Sequence, residues 1–287
     1  MKKKLLIAVL GLVLAANANA DDTILEWTSE ESAVYQDHAD EWAFMCKIAA
    51  EDACVTLGRK YVMRKNDQPF FLKLIFEREC RKATYNILSR TQSERVTNKL
   101  RLDELYQDSI DVRLLPDNEK LAGANISLAL RFADKMGLSK ENRSKITALG
   151  LSIAKKLRKN PRYNYDVEVM DSLRNYLSKS QLTEILSAKH ALPCIKKGVA
   201  TWNSLQNAGM VMDEDSATCC NQAIDYYTME CVINEMFVGH EKQLKKNLSD
   251  LWKRQPLIVR MSGSLKNREE LTGKKNDDAP EVNDMKW

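Results

Sequence analysis

The side chains in this sequence that could do the most specific chemistry are seven cysteines and three histidines. Thiolates and imidazoles bind zinc and other transition metals, and two neighbouring thiols can form a disulfide. One set could hold a metal ion: His190, Cys194, Cys219, Cys220, Cys231 and His240. Its spacing matches no standard zinc pattern. We therefore predict no metal site and keep this set as the alternative.

Helix geometry restricts the disulfides that these cysteines can form. Residues eight apart on a straight helix lie ~12 Å apart, whereas a disulfide needs Cα atoms within ~7 Å of each other. Cys46 therefore cannot bridge to Cys54 if both lie on one helix. The same argument separates Cys220 from Cys231.

Helical hairpins offer better partners, because residues equidistant from a turn face each other. One predicted turn is centred at Asp67 and another near Asn207. One cysteine must remain unpaired, because seven is odd. The alternative is that all seven are buried as small apolar side chains. The bridges that we predict are Cys54–Cys80 and Cys194–Cys219 or Cys194–Cys220.

The remaining polar residues suggest no catalytic centre. His38, His190 and His240 lie in no recognisable triad, and the sequence has no phosphate loop, dinucleotide fingerprint, HExxH or paired CxxC. The acidic pairs Glu30-Glu31 and Asp213–Asp215 fall at predicted helix starts, where capping and the helix dipole explain them. We predict no catalytic residue and no cofactor. A redox role for the unpaired thiol or for Cys219-Cys220 is the alternative.

One basic cluster could bind a partner. It lies at the end of a predicted helix, where positive charge suits the negative end of the helix dipole. We interpret it as a solvated helix end and keep a patch for an acidic partner as the alternative. Its members are Lys155, Lys156, Arg158, Lys159 and Arg162.

The first twenty residues have the pattern of a secretory signal peptide. A basic start precedes an apolar run and a small-x-small cleavage site, in the order Lys2–Lys4, Leu5–Ala15 and Ala18–Ala20. The apolar run is shorter than the ~20 residues that span a bilayer, and we predict no transmembrane segment elsewhere. We expect cleavage after Ala20 and a soluble protein in the periplasm or outside the cell.

Composition indicates helices and argues against nucleic acid as a partner. The formal charge is +4, and removing the three leader lysines leaves only +1. No general electrostatic attraction to nucleic acid or anionic membranes survives that correction. With 10 Gly and 6 Pro in 287 residues, the chain has few residues that break helices.

Hydrophobic periodicity predicts an all-α fold, an elongated bundle of long antiparallel hairpins over residues 21–255. A sub-boundary near 113–117 or 192–194 would divide it. We expect a short β-prone segment at Leu257–Met261 and a disordered tail from Ser262 to Trp287. The predicted helices cover about 26–65, 70–112, 116–135, 139–160, 165–177, 178–192, 194–206 and 214–252.

Two near-copies of one phrase begin 39 positions apart: Leu138-Ser139-Lys140-Glu141-Asn142 and Leu177-Ser178-Lys179-Ser180-Gln181. A serine followed three residues later by an amide is first of all a helix-capping signature. The two phrases, the leader and the helical pattern together also resemble the Spy/CpxP family of periplasmic proteins, which carries two LTxxQ phrases. Serine replaces threonine in both copies, and asparagine replaces glutamine in the first.

The resemblance implies an ATP-independent chaperone or envelope-stress protein that holds client chains on a concave, partly basic helical surface. From the residues themselves, we expect a protein that binds a protein partner or an unfolded client. One alternative is a structural subunit of an envelope complex that docks through Leu257–Met261 by strand addition. The other is the thiol-redox or metal-binding protein considered above.

Overall fold

A computed structural model describes residues 26–211 and 216–272. These ranges contain eleven α-helices and no β-strand, which confirms the all-α prediction. The predicted signal peptide, the acidic pair Asp213–Asp215 and the tail from residue 273 lie outside them. The helices are α1 (Ser29–Lys60), α2 (Gln68–Leu88), α3 (Gln92–Leu114), α4 (Glu119–Ala122), α5 (Ala124–Arg131), α6 (Lys140–Lys159), α7 (Asp166–Tyr176), α8 (Lys179–Asn207), α9 (Ser216–Met236), α10 (Glu241–Lys253) and α11 (Leu257–Thr272).

The chain divides into two compact units, one that ends at Asp117 and one that begins at Asn118. In the N-terminal unit, α1 packs along α2 and α2 packs along α3. Thr28 starts α1 with a capping box, in which its hydroxyl accepts from the Glu31 amide and the Glu31 carboxylate accepts from the Thr28 amide. The core of this unit is large and apolar, and includes Phe71, Ile75, Ile110 and Leu114.

The second predicted helix is in fact two helices. The prediction of one helix over 70–112 is wrong because α2 ends at Leu88 and α3 begins at Gln92. The Thr91 hydroxyl accepts from the Glu94 amide at 3.1 Å, and the Glu94 carboxylate accepts from the Arg90 amide at 2.8 Å. Thr-x-x-Glu is the sequence signature of a helix start, so the break was visible in the sequence.

In the C-terminal unit, the longest contact is between α8 and α9. Ionic and hydrogen-bonded pairs run along it in antiparallel order: Lys189–Glu235, Lys197–Glu230 and Thr201–Tyr227. Around this hairpin, α11 packs against α8 and α9, α10 packs on α9, and α4 to α7 form the rest of the unit. Ile146, Ile153, Met170 and Leu173 are among its fully buried side chains.

Helix α8 continues through Pro193, where we predicted its end. A proline inside a helix removes one backbone hydrogen bond and usually kinks or ends the helix. Here α9 packs on both sides of the proline, since Lys189 precedes it and Cys194 follows it, and both contact α9. Tertiary packing therefore overrides the local signal.

Two further predictions at the C-terminal end are corrected. The predicted helix over 214–252 is divided between α9 and α10 by a turn that contains Gly239, whose φ is +77°. A positive φ is the usual end of a helix, and glycine adopts it without strain. The segment Leu257–Met261 is helical and not extended, and the helix runs on to Thr272, into the predicted tail. Ile258 and Val259 are buried against α8 and α9, and this burial outweighs their preference for strands.

No helix in the described part of the chain combines the length and the apolar character that a membrane crossing requires.

Candidate functional site

Helix α1 has apolar side chains on two opposite faces. Its inner face buries Cys46, Ala50 and Cys54. The face that we predicted from Trp42, Cys46, Ala49, Ala53 and Leu57 overlaps this inner face only in part, because Ala49 is exposed. Helix α1 has more apolar residues than one buried stripe can hold, so some of them face solvent.

The outer face of α1 presents large apolar side chains to solvent. Phe44, Ile48 and Val55 are separated by four and seven residues, so they form one stripe along the helix. They are 69%, 39% and 54% exposed, and the neighbouring Met45 is 65% exposed. We call these four residues the α1 outer patch. Contiguous exposed apolar surface marks interaction sites, whereas single exposed apolar residues are ordinary.

Acidic residues surround the α1 outer patch. Asp37 and Glu41 lie seven and three residues before Phe44, and Glu51 and Asp52 lie between Ile48 and Val55. All four are exposed, and these spacings place them beside the apolar stripe. Lys47 pairs with Glu51 at 3.8 Å. The patch is therefore apolar in the middle, and its edges carry four acidic side chains beside Lys47.

A buried ionic network holds α1 on the rest of its unit. The Arg81 guanidinium donates to both oxygens of Glu31, at 2.9 and 3.1 Å, and Glu31 is only 1% exposed. The Tyr106 hydroxyl donates to Glu77 at 2.8 Å, and Trp27 donates to the same carboxylate at 3.0 Å. Burial raises the pKa of Tyr106, so its hydroxyl keeps the proton that this bond requires. The network fixes the orientation of α1 and leaves the outer patch free.

Both copies of the repeated phrase start a helix. Ser139 caps α6 and accepts from the Asn142 amide at 3.1 Å. Ser178 and Gln181 form a complete capping box at the start of α8. The Gln181 side chain also donates to the Met136 carbonyl at 3.0 Å, just before the first copy. Both leucines, Leu138 and Leu177, are buried. The structure thus brings the two phrases together, and capping accounts for Ser139, Ser178 and Gln181.

The predicted basic cluster is partly neutralised. Lys156 donates to both oxygens of Glu168, at 2.6 and 2.8 Å, and to the Tyr163 hydroxyl at 3.3 Å. Lys159 and Arg162 are exposed at the end of α6 and in the loop that follows, while Lys155 is half-buried. This distribution fits a solvated helix end better than a concentrated binding patch.

A polar cluster that the sequence reasoning missed lies at the far end of the α8–α9 hairpin. Glu235 accepts from Asn125 at 2.6 Å, contacts His190 Nε2 at 2.6 Å and pairs with Lys189. Burial alone would raise the pKa of Glu235, but these hydrogen bonds outweigh it and lower that pKa. The sequence could not reveal this cluster, because its hydrogen bonds join residues on different helices whose pairing the sequence does not give.

A second histidine–carboxylate pair lies near this cluster. His240 contacts Asp171 at 2.9 Å, and this contact, with Arg174, lowers the pKa of Asp171. A pocket of about 50 Å³ is lined by Gly123, Asn125, Tyr165 and Lys189, among others. Its polar groups bond to each other, as Lys189 does to Asn125 at 3.1 Å.

All seven cysteines are free, and their neighbours differ from the predicted ones. Cys80 lies beside Cys46 and Tyr35. Burial and the neighbouring Cys46 raise the pKa of the Cys80 thiol, and a hydrogen bond with Tyr35 opposes this rise only in part. Cys194 Sγ lies 3.8 Å from Cys231 Sγ. Cys219 and Cys220, the predicted partners of Cys194, pack instead as half-buried side chains at the edge of the α8–α9 core.

The different pairing follows from where the turns lie. Lys189 pairs with Glu235 and Lys197 pairs with Glu230, so the α8–α9 hairpin is centred between positions 212 and 214 and not near 207. Cys231 is then the residue equidistant with Cys194. The α1–α2 connection is likewise centred before Asp67, between Lys60 and Gln68, which moves Cys80 away from Cys54 and towards Cys46.

In residues 26–211 and 216–272, no three His, Cys, Asp or Glu side chains converge as a metal site would require. No protein-family model, no curated protein and no solved structure matches this chain.

Proposed function

We propose that this is an exported helical protein that binds another polypeptide through the α1 outer patch. The observation that carries the proposal is the exposure of Phe44, Ile48 and Val55 on one stripe of a helix whose opposite face is already buried. An amphipathic segment of a partner can cover such a stripe by placing its own apolar face against it.

The charge around the patch selects the partner. Asp37, Glu41, Glu51 and Asp52 would face the rim of any segment laid along the stripe. Charge complementarity speeds encounter and discriminates between partners more than it adds affinity. We therefore infer that the partner segment is amphipathic and cationic, with Lys or Arg flanking its apolar residues.

A more specific form of this proposal is an ATP-independent chaperone. The resemblance to the Spy/CpxP family rests on two phrases, and helix capping accounts for Ser139, Ser178 and Gln181. The chaperone form predicts that the protein delays aggregation of an unfolded client at equimolar ratio, and that Phe44→Asp weakens this effect. Equal protection by both proteins, or none by either, would count against it.

In the envelope-subunit alternative, the protein would still bind a fixed partner but would dock through a different surface. Strand addition through Leu257–Met261 does not fit a segment that is helical and has Ile258 and Val259 buried. A fixed partner would instead have to use a surface such as the α1 outer patch.

A titration with matched peptides tests the proposal. Two labelled amphipathic helical peptides carry the same apolar face, one flanked by lysines and the other by glutamates. Fluorescence anisotropy with the full mature chain should give at least tenfold tighter binding for the lysine peptide at ~50 mM salt, and a smaller ratio at ~500 mM, because salt screens exposed charges. Equal affinity would refute the cationic partner, and no binding by either peptide would refute the patch as a binding site.

A further inference from the structure

The α8–α9 hairpin holds two cysteines in register to react with each other. Cys194 Sγ and Cys231 Sγ are 3.8 Å apart. Ordered pairs flank them along the hairpin, Lys197 with Glu230 at 3.2 Å on one side and the Glu235 cluster on the other. These contacts restrict sliding of one helix along the other, so the two sulfurs stay opposite each other.

The two helices also come unusually close one turn further along α8. A Cβ atom on Gly198 would lie 2.4 Å from the Ile224 side chain, 3.1 Å from the Ile224 amide nitrogen and 3.3 Å from the Cys220 carbonyl oxygen. Only glycine allows this approach. Gly198 is one helical turn from Cys194. A disulfide needs Cα atoms 4.4–6.8 Å apart, so closely packed helices can form one between facing cysteines.

We propose that Cys194 and Cys231 are an oxidation site. They form an intramolecular disulfide by exchange with a disulfide donor in the compartment to which the protein is exported. Cys231 is half-buried and can meet the donor, whereas Cys194 is buried. The other neighbouring pair, Cys46 and Cys80, has both thiols buried and out of reach of a donor. This inference rests on the export part of the proposed function and does not depend on the α1 outer patch.

The exchange balances in two steps. The Cys231 thiol loses its proton, and the thiolate attacks one donor sulfur and expels the first donor thiolate, which takes up a proton. The Cys194 thiol then loses its proton, and its thiolate attacks Cys231 Sγ and expels the second donor thiolate, which takes up a proton. Two protein thiols are oxidised and one donor disulfide is reduced to two thiols. Burial and the neighbouring Cys194 raise the pKa of Cys231 to about 11, so we expect slow exchange at neutral pH and faster exchange at higher pH.

The test oxidises the reduced full mature chain with glutathione disulfide, blocks remaining thiols with an alkylating reagent, and maps peptides without reduction. We expect a Cys194–Cys231 linked peptide that forms roughly tenfold faster for each pH unit between 7 and 9, because the thiolate fraction rises tenfold. Cys231→Ser should abolish the linked peptide, and Cys219→Ser should leave it. Circular dichroism checks that both variants keep the helix content of the parent.

Three results would overturn the proposal. The first is a linked peptide that joins Cys194 to Cys219 or Cys220. The second is full alkylation of both Cys194 and Cys231 after prolonged oxidation. The third is a linked peptide whose rate of formation is independent of pH, which would exclude attack by a Cys231 thiolate.

Discussion

Glu31 shows how one buried charge can determine the stability of the N-terminal unit. It is 1% exposed and bonded to Arg81 through both oxygens. Removal of one partner from a buried ion pair leaves the other charge uncompensated, at a cost of about 3–5 kcal/mol. The contribution of Glu31 to stability therefore comes from its pairing with Arg81 and not from burial alone.

We expect Glu31→Gln to lower the free energy of unfolding by about 3 kcal/mol or more. Glutamine at this position can still complete the capping box with Thr28, so the loss of stability measures the effect of removing the charge. Urea unfolding followed by circular dichroism measures it. Glu30→Gln is the matched control, because Glu30 is exposed and should change stability by less than about 0.5 kcal/mol. Equal effects of the two substitutions would contradict the role of the pair.

Glu235 gives a prediction about pH. Its pKa is lowered in the folded protein, so its ionised form stabilises the fold above its ordinary value of 4.5 and this contribution disappears as the pH falls through the folded pKa. Glu235→Gln should therefore destabilise the protein at pH 7, and the difference from the parent should shrink below pH 4.5. Urea midpoints at pH 7, 5 and 3.5 measure this. A difference that is constant over this range would contradict the assignment.

The repeated phrase stabilises the helices that it starts by capping their first turns. Ser178→Ala should cost about 1 kcal/mol, the usual value for a lost N-cap, and Ser178→Thr should restore most of it because threonine also caps. Neither change should alter peptide binding if the function lies on the α1 outer patch. Unfolding and anisotropy measurements on the same three proteins separate stability from binding, and a loss of binding in a stable Ser178→Ala variant would give the phrase a direct functional role.

The proposed disulfide should stabilise the α8–α9 hairpin. It would close a loop over 37 positions, and the chain-entropy model gives about 4 kcal/mol for a loop of that size. Scanning calorimetry of the oxidised and reduced protein should therefore show a midpoint higher by about 10 °C after oxidation. The Cys231→Ser variant should show no such difference, and an equal rise in that variant would assign the effect to another bridge.

Sequence periodicity predicted the helices but not their pairing. The elements with regular spacing and clear caps, such as α6 and α7, lie close to where the pattern places them. The predicted helix end at Pro193 and the predicted extended segment at Leu257–Met261 were wrong because contacts with distant helices outweigh local preference. The cysteine partners were predicted from a turn centred at Asn207, whereas the pairs Lys189–Glu235 and Lys197–Glu230 centre the hairpin between positions 212 and 214, a register that no local signal in the sequence determines.

The candidate site was harder to predict than the fold. The outer patch was readable in principle, since Phe44, Ile48 and Val55 have helical spacing. Periodicity cannot say which of two apolar faces of α1 is buried, because that depends on α2. The Glu31 and Glu235 clusters join residues 50 and 45 positions apart, so only the packed structure reveals them.

In the whole molecule, we propose partner binding on one surface of the N-terminal unit and a redox-sensitive pair of cysteines in the C-terminal unit. Both assignments fit an exported protein, which the first twenty residues predict. We expect the mature chain isolated from the exported fraction to begin at Asp21, and Edman sequencing or intact mass would check this. A chain that retains Met1–Ala20 would contradict export by cleavage.

The most direct test of the central claim compares two equally exposed apolar residues of the same unit. Phe44 on α1 and Leu100 on α3 are 69% and 63% exposed. In a titration with the cationic amphipathic peptide, Phe44→Ala should weaken binding about tenfold, as loss of a central aromatic contact does, and Leu100→Ala should change the Kd by less than twofold. If both substitutions have the same effect, or neither has any, the α1 outer patch is not the binding surface.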